Sequence, residues 1–220
     1  MLKAYKYLLE PTTQQATHLN GIVGSCRFVY NLALDAKLQA YTKDVSVSCF
    51  DLMKQLTELK QDEAYAWLYD SPTHALQHAI SNLDNAFTNF FKGRAKFPRF
   101  KSKKHRQSFH VPAGAKVDWD KGMVFLPKLK WVKMIVSRGF NGNIRNATVS
   151  KTPTGRYYVS LVVETGQSVP GKPPIVRDTA VGLDVGLAHF VTISDGRKID
   201  NPKLLFHSLK RLRVEQRTLA

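Results

Sequence analysis

The chain opens on an alternation in which Lys3, Tyr5, Tyr7 and Leu9 fall on one side of residues 2–9 and Pro11 closes the run. That period of two predicts one isolated strand. From Thr13 to Thr42 the period changes: apolar positions recur at steps of three and four, at Leu19, Ile22, Val23, Cys26, Val29, Ala33, Ala36 and Ala40. This predicts a long amphipathic helix. A shorter helix follows, capped by Ser48 and carrying Leu52, Met53, Leu56 and Leu59. Ser71-Pro72 reads as a cap followed by proline at the first helical position. The helix it opens passes through Leu76, Ala79, Ile80, Leu83, Ala86, Phe87, Phe90 and Phe91 until Gly93 stops it. These helices are expected to form one bundle.

Residues 107–165 have a β texture. Asp120-Lys-Gly and Thr152-Pro-Thr-Gly155 are turn signals, and Val124-Phe-Leu, Trp131-Val-Lys-Met-Ile-Val, Ala147-Thr-Val and Tyr157-Tyr-Val-Ser-Leu-Val-Val are strand runs. An antiparallel barrel is the expected closure, because a barrel leaves no edge. The N-terminal strand has no partner nearby in sequence, so it is expected to join this barrel, with the helices inserted between its first and second strands. Residues 166–174, with three prolines and two glycines, read as a linker. Beyond them come a strand in Val181-Gly-Leu-Asp-Val-Gly-Leu187, a second in Phe190-Val-Thr-Ile-Ser194 and a third around Arg197-Lys-Ile. Asn201-Pro202 then starts a helix with Leu204, Leu205, Leu209 and Leu212 beside Lys203, Lys210, Arg211 and Arg213.

The 220 residues, 43% of them hydrophobic, suffice for one large or two small cores. A net charge of +16 predicts a polyanionic partner. Nucleic acid is favoured over membrane, because no stretch approaches the roughly 20 apolar residues of a spanning helix and no secretory leader opens the chain. Cys26 and Cys49 have no Cys-x-x-Cys or His companion, so they read as small core residues of a reducing cytoplasm, with no zinc site.

Two features carry candidate chemistry. Asp184 sits amid an apolar β run, where a carboxylate is costly unless something cationic sits on it. Gly182 and Gly186 strip side chains from both its flanks, as a backbone does where a metal ion or phosphate must come close. One carboxylate cannot hold a metal pair, which needs several charged ligands. His189 and Asp195 lie nearby, but Asp195-Gly196 is a turn signal and His189 reads as a strand start. The second feature is residues 92–106, where Lys92, Arg94, Lys96, Arg99, Lys101, Lys103, Lys104 and Arg106 place eight cations with no acid among them. Phe97 and Phe100 interleave, as aromatics do where they stack on sugars or bases. The alternative for such a run is a solvated loop. Arg27 and Asn31, one helical turn apart, either orient RNA phosphates or cap a packing contact.

In order along the chain stand Cys26-Arg-Phe-Val-Tyr-Asn31, Leu83-Asp-Asn-Ala-Phe-Thr-Asn-Phe-Phe91, Phe97-Pro-Arg-Phe-Lys101, Leu126-Pro-Lys-Leu129 and Gly182-Leu-Asp-Val-Gly-Leu187, with Asp195-Gly and Asn201-Pro-Lys203 behind them. With these motifs the chain resembles the TnpB, or OrfB, proteins of bacterial insertion sequences, over essentially its whole length. The resemblance implies a compact RNA-guided DNA endonuclease related to type V CRISPR nucleases. A transposon-derived guide RNA pairs with double-stranded target DNA, the protein reads a short adjacent motif, and a Mg2+-dependent RuvC domain cuts.

The implied fold class is α+β: an antiparallel OB-like β-barrel (the wedge; residues 1–12 and 107–166), an inserted helical recognition bundle with the basic segment (13–106), a linker (167–178) and an incomplete RuvC/RNase H-like domain (179–220). The resemblance also implies that Thr73, His74 and Gln77 face the adjacent motif, where Gln can bond adenine edges, and that Asp184 is a RuvC carboxylate. Complete members continue with a Glu, a zinc-ribbon segment with two Cys pairs and a further Asp, to which nothing here maps. Glu215 stands on the terminal helix without a strand context. The expectation is therefore a truncated, cytoplasmic, nucleoid-associated protein that binds guide RNA and DNA. It should lack a complete nuclease site, bind no metal tightly and not cut alone. The alternatives are half of a split endonuclease completed by a separate C-terminal RuvC polypeptide, or a decayed or artificially cut transposase fragment.

Overall fold

In the computed structural model, which describes residues 1–104, 107–172, 176 and 180–219, the chain divides into two units, Met1–Val169 and Pro170–Ala220. The first begins with β1 (Leu2–Glu10) and α1 (Thr13–Thr42). The turn between them is tight because Thr12 and Gln15 form a capping box: Gln15 N donates to Thr12 Oγ1 at 3.3 Å and Thr12 N to Gln15 Oε1 at 3.1 Å. Next come α2 (Cys49–Leu59), a 3₁₀ helix (Glu63–Asp70) and α3 (Thr73–Phe91). Ser48 caps α2 as its sequence predicts, with Asp51 reciprocating. At α3 the expectation is shifted by one residue. Pro72 itself is the N-cap and makes no side-chain cap bond, while Ser71 is buried beneath it. Gly93 ends the helix as expected, at φ 66°, a left-handed conformation that a side chain would disfavour.

Seven strands complete this unit: β1 with β2 (Gln107–Val111), β3 (Lys116–Asp118), β4 (Met123–Leu126), β5 (Lys130–Ile135), β6 (Asn143–Lys151) and β7 (Tyr157–Glu164). They form one antiparallel sheet in the order β2-β6-β7-β1-β5-β4-β3. The isolated N-terminal strand does find its partners here, pairing β7 from Leu2↔Glu164 to Leu9↔Tyr157 and β5 from Leu8↔Ile135 to Glu10↔Lys133. The helices thus leave the sheet after β1 and return to it at β2. The Thr152–Gly155 turn closes the β6–β7 hairpin, with Thr152 N donating to Arg156 O at 2.8 Å.

The expected closed barrel is not formed. The sheet is open, β2 and β3 are its edges, and they do not pair among the described residues. Two physical reasons apply: β3 is three residues long, too short for a closing ladder, and α1 and α3 pack against β2 instead. One continuous core joins the helices to the sheet, with Leu19 and Ile22 of α1, Leu76, Ile80 and Leu83 of α3, and Tyr7, Val124, Val159 and Leu161 of the strands all almost fully buried.

The second unit holds β8 (Leu183–Asp184), β9 (His189–Ile193), β10 (Lys198–Asp200) and α4 (Leu204–Leu219), its strands antiparallel in the order β10-β9-β8. None of its described residues is buried. The first of these strands is shorter than its apolar run predicts, and Asp184 ends it on the edge of the sheet rather than lying mid-strand. Flanked by glycines and covered by nothing in its own unit, the ladder stops after Leu183↔Ile193 and Asp184↔Thr192. Asn201 does not cap α4 as expected. Its amide donates to Leu187 O at 2.9 Å and its oxygen accepts from Lys203 N, and Pro202 stays outside the helix.

Candidate nucleic-acid interface

Residues 92–104 leave α3 without regular structure, yet they are held at defined points. Pro98 is buried, and Phe97 meets Phe87 and Phe90 edge-on at 5.5 and 5.1 Å. Asn31 of α1 then grips the backbone of Lys101 from both sides: its Nδ2 donates to Lys101 O at 3.0 Å, and Lys101 N donates to its Oδ1 at 2.8 Å. Lys92, Arg94 and Lys96 ahead of these anchors, Arg99 between them, and Lys103 and Lys104 beyond them are exposed, and none makes an ion pair with a described residue. Six cations without an ion pair among the described residues sit on an anchored segment, which is a positive surface rather than a salt-bridged loop. Arg106 lies outside the described residues.

Lys101 behaves differently. The residue as a whole is exposed, but its ammonium lies 3.8 Å from the centre of the Tyr30 ring, and burial pulls its pKa down. Of the two α1 residues singled out from the sequence, Asn31 is committed to packing the basic segment. Arg27 is half-buried and makes no hydrogen bond or ion pair with the described residues.

The first turn of α3 carries the three residues expected at the DNA motif. Thr73 is exposed but accepts from Lys60 Nζ at 3.3 Å, an ammonium that also sits 4.8 Å over the Tyr69 ring and whose pKa burial lowers. His74 is exposed and Gln77 half-buried, and neither side chain has a partner among the described residues. Sequence reasoning passed over His78, one residue further on. Its ring stacks on His110 of β2 at 4.1 Å. The pairing is invisible in sequence, because its members belong to elements joined through the whole basic segment.

Asp184 is exposed, and its carboxylate has no partner among the described residues. No group of three His, Cys, Asp or Glu side chains converges anywhere among them. His189 lies 3.2 Å from Asp200, and Asp195 is paired with Arg197 at 2.7 Å. A divalent metal pair needs more charged donors than Asp184 brings, so the residues present do not fit one. Gly182 serves a local purpose: a Cβ there would press on Ser194 at 3.3 Å, and Gly182 N donates to Ser194 Oγ at 3.0 Å. The bare backbone is accounted for by this neighbour.

The fold is thus a strand-anchored helical insertion bearing a basic surface, followed by a small separate unit in which Asp184 ends an edge strand. Residues 1–44 match a family model described as a helix-turn-helix domain, that of the OrfB proteins of the IS605 type. In this structure that stretch is β1 and the single helix α1. The chain is 36% identical over 220 residues to InsQ of Escherichia coli (strain K12), provisionally named an RNA-guided DNA endonuclease, with 100% of this chain and 54% of that protein covered. A Streptomyces pristinaespiralis protein with the same provisional description is 33% identical over 225 residues, covering 99% of this chain and 54% of that one. The virulence protein VsdF of Salmonella dublin is 40% identical over 113 residues, 47% of this chain and 95% of VsdF. The chain belongs to the TnpB (OrfB) family. It spans about half the length of the two endonuclease-named relatives.

Proposed function

We propose that this chain binds a guide RNA and double-stranded target DNA as a TnpB-type protein. The observation that supports this most is the exposed, unpaired set Lys92, Arg94, Lys96, Arg99, Lys103 and Lys104 on a segment clamped to α1 by Asn31. In this reading the seven-stranded sheet is an opened OB-like wedge (residues 1–12 and 107–166), residues 13–106 are the recognition insertion and 167–178 the linker. His74 and Gln77, whose side chains have no hydrogen-bond partner among the described residues, read the motif beside the target, with Thr73 holding Lys60 beside them. The names of the two longer relatives support the RNA-guided reading. A protein of this kind works in the cytoplasm at the nucleoid. Among the described residues no helix is long and apolar enough to cross a membrane.

Residues 179–220 are read as the opening strands of a RuvC-type domain, with Asp184 as one carboxylate of its Mg2+ site. Further carboxylates are required to complete such a site, and a separate C-terminal polypeptide is one source of them. By itself this chain is expected to bind without cutting. Incubated with guide RNA, target DNA and magnesium, the purified chain should leave the DNA intact. Specific cutting that disappears in Asp184→Ala would overturn this part.

Binding is tested by the salt dependence of RNA affinity. Each neutralised phosphate contributes a log–log slope of roughly 0.7 to 0.9, so alanine at Arg99, Lys103 and Lys104 together should flatten the slope by about two to three units. An unchanged slope would return the segment to the status of a solvated loop.

A further inference from the structure

A cleft opens between α1, α3, β2 and the basic segment, lined among others by Arg27, His78, Asn82, Lys101, Gln107 and His110. Among the described residues no carboxylate lines it. Among the described residues, the titratable and charged groups facing the two imidazoles are Arg27 and Cys26 from α1, Lys101 from the basic segment, and each ring for the other. From β6, Thr148 contributes an uncharged hydroxyl. The rings stack 4.1 Å apart with 28° between their planes. Asn82 Nδ2 lies 3.0 Å from His78 Nδ1, and Thr148 Oγ1 lies 3.3 Å from His110 Nδ1. With both Nδ1 atoms occupied, the Nε2 atoms are left without a hydrogen bond among the described residues.

The electrostatics point one way. Burial lowers the pKa of both histidines, and for His78 the neighbouring His110 and Lys101 lower it further. Arg27 brings a full charge with no hydrogen bond or ion pair among the described residues. A half-enclosed space that collects cations and amides and excludes every acid is under-compensated until an anion enters. Guanidinium and ammonium bind phosphate oxygens directly, and each Nε2 can donate to one.

We propose that this cleft binds one phosphodiester group of a nucleic-acid backbone, gripped by Arg27, Lys101 and the Nε2 atoms of His78 and His110. The inference rests on the nucleic-acid reading above and adds to it a single built site at the root of the basic segment. It assigns a ligand to His78 and His110, and it makes that grip dependent on pH, because the anion and the imidazole protons favour each other.

The test is an NMR titration of the His78 and His110 ring signals in the full chain at low ionic strength. It is run in chloride alone, then with inorganic sulfate, which stays dianionic between pH 5 and 8, then with a short RNA oligonucleotide. RNA binding is followed separately by fluorescence anisotropy. Sulfate and RNA should each raise both imidazole pKa values by about one unit, the shift expected for an opposite charge within hydrogen-bonding reach. Arg27→Gln should reduce the shift, with backbone amide spectra confirming that this variant is folded. The wild-type titration stands without it. If neither ligand moves the rings, the site does not exist. If sulfate moves them and bound RNA does not, the nucleic-acid assignment is wrong and the cleft takes a free anion. RNA that binds with its full salt slope while the rings stay unmoved overturns the cleft alone and leaves the proposed function standing. Absence of RNA binding together with a sulfate response overturns the proposed function and, with it, the phosphodiester assignment.

Discussion

Cys26 and Asn31 occupy the same helix one turn and a residue apart, and their surroundings give them opposite fates. Cys26 is buried against α3, its Sγ 3.6 Å from Ala75 O, and burial pushes its thiol pKa up to about 12. The thiolate is the reactive form. Alkylation at pH 8, followed by mass spectrometry, should therefore label Cys49 and leave Cys26 unmodified until the protein unfolds. Asn31 uses both ends of its amide on one backbone residue. Asn31→Ala should cost about 1–2 kcal/mol for the two lost bonds and expose residues 99–104 to trypsin, read as faster cleavage at Lys101–Lys104. The two stacked histidines add a pH dependence. Their folded pKa values lie below the ordinary 6.5, so around that pH the unfolded chain binds protons that the folded chain does not. Their contribution is present above 6.5 and is lost as pH falls through that value toward the lowered folded pKa. Urea midpoints should drop between pH 7.5 and 5.5, and less steeply in a His78→Gln, His110→Gln double variant.

At the scale of elements, α3 and α4 contrast. On α3, Leu76, Ile80 and Leu83 are almost fully buried against α1 and α2, and this packing lets the opposite side present His74 and Gln77. On α4 the apolar positions remain in water: Leu204 is 71% exposed, Leu205 73%, Phe206 65% and Leu212 51%. A helix of this length without a packed face is marginal. Hydrogen exchange in dilute solution should find its amides protected far less than those of α1. Equal protection would show that residues 180–219 hold together by themselves. Leu205→Lys with Leu212→Lys should reduce self-association and leave the melting of the first unit unchanged.

For the whole molecule the dominant quantity is the charge of +16. Like charges on a folded surface repel, and a bound polyanion removes that repulsion in the native state. RNA at about a hundredfold excess over its dissociation constant should stabilise the fold by roughly 2.7 kcal/mol, seen as a raised Tm. The increment should vanish near 1 M salt, where screening acts over about 3 Å. A Tm indifferent to RNA at low salt would contradict a nucleic-acid partner.

The sequence by itself determined whatever depends on near neighbours. The span of α1, the Ser48 cap, the stop at Gly93 and the turn at Thr152–Gly155 follow from side chains within about one turn of each other, where periodicity and local hydrogen bonding decide. The charge and its clustering are likewise additive along the chain. Only the tertiary structure decided what depends on distant partners. It joined the Asn31 side chain to the backbone of Lys101, 70 residues away. It also stacked His78 on His110 and left the sheet open with α1 and α3 against β2. Asp184 shows the same division. Its apolar flanks predict a strand, but whether a carboxylate becomes a metal ligand depends on which other donors the fold brings beside it, and among the described residues no group of three potential ligands converges. Pairings between remote segments are set by how whole faces pack, and no local pattern encodes that.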